Sequence, residues 1–92
     1  MKLAEQISTA SLLLAEHGGR TLIPLDEVAE KYFHHLTPAH LLRKVGLGLI
    51  NLPIVRMDGS QKCQKGVHVL DLAEYLDSRR EAAKKELRQL RG

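Results

Sequence analysis

Five histidines, one cysteine and a set of basic residues in the middle of the chain are the groups that could do chemistry. The histidines stand at positions 17, 34, 35, 40 and 68. None shows the pattern of two histidines one turn apart with a carboxylate ligand nearby. His34 and His35 are adjacent, so on a helix or strand they point in different directions. All five read as surface or capping histidines. Gly46 and Gly48 lack the lysine and the downstream pattern of a phosphate loop. Cys63 lies between Lys62 and Lys65 but has no obvious general base, and reads as a free loop cysteine. No enzyme is expected, with no catalytic residue, no metal and no cofactor.

The basic residues carry more information. Residues 1–33 have a net charge of −2, residues 34–66 of +4 and residues 67–92 of +1, for a total of +3. The excess sits in the middle third. A local basic surface on a balanced chain is the electrostatic footprint expected for nucleic acid. Charge alone leaves a solvated basic loop as the alternative.

These residues need elements to position them. Leu3, Ile7, Ala10 and Leu14 recur at helical spacing, so a first helix is expected over 3–17, ended by Gly18–Gly19. Thr21–Leu25 contains Pro24 and reads as an edge strand or connector. Asp26 is placed to cap a second helix, Glu27–Phe33, with Val28, Ala29 and Tyr32 inward and Glu27 and Glu30 outward. A third helix starts clearly. Thr37 is a good N-cap, Pro38 fits the first helical position, and Leu36 and Leu41 can staple it. It runs to Val45 and stops near Gly46 or Gly48. Leu41, Leu42 and Val45 point one way; His40, Arg43, Lys44 and Leu47 point the other. Two helices about four residues apart, the second with a polar-basic outer face, are the signature of a helix-turn-helix.

Leu52–Met57 then reads as a strand, Asp58–Gly59 as a turn, and Gly66–Leu70 as the returning strand with Val67 and Val69 on one face. A hairpin with a long basic tip, set directly after a helix-turn-helix, is a wing. Asp71 and Glu74 suit a capping box for a last helix, with Leu70 and Tyr75 as its staple. Leu72, Ala73 and Leu76 should dock on the core. Beyond Asp77 the helix is highly charged, with an apolar stripe of Ala83, Leu87 and Leu90 and an i,i+4 pair of Glu81 and Lys85. That stripe reads either as part of a solvated tail or as a contact with another protomer.

On these elements the contact residues follow. The N-terminal residues of a recognition helix touch base edges, here Thr37, Ala39, His40, Arg43 and Lys44. Arg43 can donate two hydrogen bonds to guanine O6 and N7, while Lys44 suits a phosphate. Free N–H groups at the helix start can also bind phosphate. The wing offers Arg56, Ser60, Gln61, Lys62 and Lys65. Arg56 has a competing reading as an ion-pair partner of Asp58 or Asp71.

Ninety-two residues suffice for one compact domain. Apolar residues make up 43%, and Tyr32, Phe33 and Tyr75 are the only aromatics, so the core must be mostly aliphatic. The expected fold is mainly helical α+β, a winged helix-turn-helix with a long C-terminal helix. The helix-turn-helix spans about 26–46, the wing about 52–70 and the last helix about 71–90. A single cysteine permits no intrachain disulfide and no thiolate metal site, which fits a reducing compartment. No segment reads as a signal peptide or approaches membrane-spanning length. A cytoplasmic protein is expected.

A family resemblance adds to this reading. The segment from about Leu12 to Leu90 resembles the pyocin activator protein (PrtN) family of bacterial transcription activators. The resemblance rests on Gly18–Gly19–Arg20, Ile23–Pro24, Tyr32–Phe33, Leu42–Arg43–Lys44, Leu52–Pro53, Val55–Arg56, Gly59–Ser60–Gln61–Lys62, Gly66–Val67–His68, Asp71–Leu72–Ala73 and Tyr75–Leu76–Asp77. It implies a DNA-binding activator of bacteriocin or phage-derived genes, acting on repeated short promoter boxes. It carries DNA contact to Arg43, Lys44 and Ser60–Lys62. Double-stranded DNA is the expected partner, with a homo-oligomer through the C-terminal helix and RNA polymerase as further candidates. Two other readings stay open: an excisionase-like architectural factor, and an adaptor whose basic loop binds an acidic protein.

Overall fold

A computed structural model describes residues 7–92. Over these residues the chain is mainly helical, with four helices and a small antiparallel sheet. Helix α1 is Thr9–Glu16, strand β1 is Leu22–Pro24, α2 is Leu25–Tyr32 and α3 is Pro38–Gly46. Strands β2, Val55–Arg56, and β3, Lys65–His68, precede α4, Val69–Arg91.

Helix α1 starts at Ser8, whose hydroxyl accepts from the Ser11 N–H at 3.1 Å. It is shorter than the expected 3–17. Leu3 lies outside the described residues, and Ile7 is 39% exposed instead of inward. Leu13 is the buried contact, with Ala10 and Leu14 partly buried against it. The end came as expected. Gly18 and Gly19 take φ of +65° and +80°, and their N–H groups bond Ala15 and Leu14 carbonyls, closing the last turn in a Schellman motif.

The sheet order is β1-β3-β2, so β1 is an edge strand and tolerates Pro24. The central strand brings Gly66 opposite both Pro24 and Val55. The expected Leu52–Met57 strand shrinks to Val55–Arg56. Pro53 has no N–H for a ladder, and the Leu52 N–H turns back onto the Ile50 carbonyl at 3.0 Å. That turn folds the segment inward and buries Ile50 and Leu52.

Two expected caps are replaced. Helix α2 follows β1 without a break, with Pro24 as a cap that offers no side-chain bond, and Asp26 lies inside its first turn. Leu25 is buried there, so the apolar residue and not the carboxylate fixes the start. The strand expected over Gly66–Leu70 ends at His68. The imidazole Nδ1 of His68 accepts from the Leu70 N–H at 3.1 Å and caps α4; Asp71 falls in the first turn. Val69 is still tied to the sheet side, its N–H bonded to the Thr21 carbonyl at 2.8 Å. Leu70 is 57% exposed and does not staple.

The aliphatic core joins Leu13, Ile23, Val28, Leu41, Val67 and Leu72, one from each of six elements. Phe33 stacks at a tilt on Tyr75, with ring centroids 5.7 Å apart, tying the end of α2 to α4. Leu72 and Ala73 are buried and Leu76 packs against them, as expected. From Asp77 onward α4 is exposed. Its charged pair is Glu81 with Lys84 at 3.5 Å, one residue earlier than the expected Lys85. No helix of the described residues is long and apolar enough to cross a membrane.

Candidate nucleic-acid interface

Helix α3 forms where its sequence says it must. The Thr37 hydroxyl accepts from the His40 N–H at 3.2 Å, and Pro38 occupies the first turn. Its other end closes on Gly48, at φ +76°. The Leu49 N–H bonds the Lys44 carbonyl at 2.9 Å and the Gly48 N–H bonds that of Val45 at 3.0 Å, a second Schellman motif. Leu41 is fully buried and Leu42 and Val45 are half-buried. One residue out of phase, His40, Arg43, Lys44 and Leu47 are exposed.

The cap has a consequence for anion binding. Pro38 has no N–H, and the His40 N–H is taken by Thr37. Ala39 keeps the remaining first-turn donor. The start of α3 is therefore a weaker phosphate cradle than an open helix N-terminus, and the side chains carry more of the surface.

His40, Arg43 and Lys44 line one groove together with Leu36, Leu47 and Leu49. A neighbouring groove shares Leu36, Lys44 and Leu49 and continues over His35 to Tyr75 and Arg79 of α4. His35 and Arg79 thus extend the basic surface. Sequence reasoning missed both; Arg79 comes to this groove because α4 packs on the end of α2 through Tyr75 and Phe33, a meeting that no local period records.

The second patch is the β2–β3 hairpin. Arg56 stands opposite Lys65 in the ladder. The Met57 N–H bonds the Gln64 carbonyl at 3.1 Å, one step beyond. At the tip the Asp58 carboxylate accepts from the Ser60 N–H at 2.7 Å. That bond holds the Asp58 carboxyl below its ordinary range. The Cys63 N–H bonds the Ser60 carbonyl at 3.3 Å, and the Lys65 ammonium donates to the Gln61 carbonyl at 2.8 Å. The tip is an ordered turn that leaves Ser60, Gln61 and Lys62 exposed, while Lys65 is half-buried and engaged within it. Among the described residues, Arg43, Lys44, Arg56, Lys62 and Lys65 form no ion pair, so Arg56 reaches neither Asp58 nor Asp71.

The sequence profile of the pyocin activator protein PrtN family matches residues 9–83. The chain belongs to this family. PrtN proteins are transcription activators, not enzymes. No curated protein and no solved structure matches the chain. The matched PrtN span runs from the start of α1 into α4 and includes both basic patches.

One histidine caps a helix end, as expected, but is buried and does more than cap. His17 is 3% exposed, at the C-cap of α1. Its Nδ1 faces Glu27 Oε2 at 2.9 Å and its Nε2 faces the Tyr32 hydroxyl at 2.9 Å. Tyr32 donates on to Glu16 at 3.0 Å, and Arg20 donates to Glu27 at 2.7 Å. Glu27, expected to face outward, instead joins this cluster. The Arg20 guanidinium, then His17, hold its carboxyl below the usual range. Burial, with Glu16 beside it, pushes the Tyr32 phenol up to about 12. The cluster fastens α1 to α2 on groups that belong to neither basic patch. Its partners are 10 and 15 positions from His17, too far for helical spacing to reveal. Among the described residues no cluster is suited to hold a metal ion.

Proposed function

We propose that α2 and α3 form a helix-turn-helix, that the β2–β3 hairpin is its wing, and that residues 1–92 act as one DNA-binding domain. The protein binds double-stranded DNA at the promoters of bacteriocin or phage-derived genes and activates them. Helix α3 enters the major groove. Arg43 reads a guanine edge, Lys44 and Thr37 hold phosphates, and His40 contacts a base or phosphate beside them. The wing lays Arg56, Ser60, Gln61, Lys62 and Lys65 on the backbone or in the minor groove. Lys65 also orders the tip, through Gln61.

The observation that carries this reading is the outer face of α3. Its cations are exposed and unpaired, while the opposite face is locked into the core. Membership of an activator family supplies the biological role. Activators of this kind work in the cytoplasm, and the exposed distal half of α4 offers a surface to a second protomer or to RNA polymerase.

A salt titration of duplex binding tests the reading. About four phosphate contacts give a log–log slope near −3 to −4. A protein that binds no duplex at low salt is not acting this way.

A further inference from the structure

The outer surface of α3 is not uniformly basic. Leu47 and Leu49 at its C-terminal end are 63% and 67% exposed. They line the same groove as His40, Arg43 and Lys44. The backbone holds them there. Leu47 keeps a right-handed helical conformation at φ −84° and ψ −1°. Leu49 is pinned beside Lys44 by its 2.9 Å bond to that residue's carbonyl. Clustered apolar groups within a polar rim mark a binding surface.

We infer that Leu47, with Leu49 beside it, receives the C5-methyl group of a thymine in the bound duplex, close to the base that Arg43 reads. The inference rests on the DNA reading above and gives that site a sequence preference. The thymine methyl is the apolar group that the major groove displays among its donors and acceptors. The cationic rim selects a polyanion as the occupant. A second copy of the same face would set its own Arg43 and Lys44 against these cations. Arg43 and Leu47 are four positions apart on one face, so they are separated by about 6 Å along the helix. Base pairs stack about 3.4 Å apart. The thymine therefore lies within about two base pairs of the Arg43 guanine.

Replacing thymine by uracil removes this methyl and nothing else. A binding site is first selected from random duplexes with the full chain, and each thymine in it is then replaced singly by uracil. One such duplex, near the guanine whose loss Arg43→Ala no longer senses, is expected to bind about four-fold more weakly, as for one lost buried methyl group. In Leu47→Ala the same replacement should be neutral, with Leu49→Ala giving an intermediate loss. Both leucines are exposed, so neither variant challenges the fold. Specific binding indifferent to every uracil overturns the inference, as does a uracil penalty undiminished in Leu47→Ala. A change of oligomeric state in Leu47→Ala also overturns it, by assigning the leucines to a protein contact. Absence of any duplex binding instead overturns the DNA reading beneath it.

Discussion

Arg56 and Lys65 face one another directly across the β2–β3 ladder, two cations in register on a short hairpin. Like charges in this position destabilise a sheet. No carboxylate among the described residues pairs with either one. Lys65 relieves part of the repulsion by reaching back to the Gln61 carbonyl. A surface that concentrates positive charge at the expense of its own stability is suited to an anionic partner.

Arg56→Thr is therefore expected to stabilise the free protein by about 0.2–1 kcal/mol, since the repulsion goes and a β-branched residue replaces it. The same variant should bind duplex DNA more weakly at every sequence. Denaturant melts and a binding titration on one preparation measure the two effects. A variant that is less stable and binds equally well would mean that Arg56 serves the fold.

Arg43 and Lys62 separate base reading from backbone contact. Arg43→Ala should cost roughly 1–3 kcal/mol on the selected site and much less on random duplex. Lys62→Ala should weaken all duplexes alike and flatten the salt slope by about one. An equal loss on both duplexes for Arg43→Ala would demote that residue to a phosphate contact.

The His17 cluster should govern stability and leave DNA binding alone. His17→Ala removes a fully buried side chain and two hydrogen bonds, an expected loss of roughly 2–4 kcal/mol in a denaturant melt. The salt slope should not change. Tyr32 adds a pH dependence with a defined sign. Its folded pKa of about 12 lies above the ordinary phenol value. The associated stability is complete below pH about 10 and is lost as pH rises through about 12. Tyr32→Phe should remove that alkaline component, and ultraviolet titration of the wild type should show a phenol ionising near the top of this range.

Gly66 is required by contact and not by a special backbone angle. A Cβ at this position would stand 2.6 Å from the Ile23 carbonyl oxygen of β1. Gly66→Ala should push β1 from β3 and destabilise by about 1–3 kcal/mol. Calorimetry of this variant beside Gly59→Ala, where nothing lies within 4 Å of the new methyl, isolates the steric effect.

Elements with complete local signals were legible. Thr37–Pro38 and Gly48 fixed α3, whose face of His40, Arg43 and Lys44 followed from helical period alone. Gly18–Gly19 fixed the end of α1. The hairpin was legible from Asp58–Gly59 and the valines, but its length was not. The reach of a strand depends on which N–H groups find a partner, and Leu52 found one in its own turn.

By itself the sequence determined the helix that presents the basic face, the polar tip after it and the family to which both belong, because caps, periods and motifs are local in the chain. Tertiary structure decided the rest. Burial made His17 a clamp between helices, since its partners come from a different helix. Sheet register set Arg56 against Lys65 and Gly66 against the Ile23 carbonyl. Packing of α4 against the end of α2 brought Arg79 beside Lys44. Each of these joins groups distant in sequence, whose meeting is fixed by the packing of the core and not by any spacing along the chain.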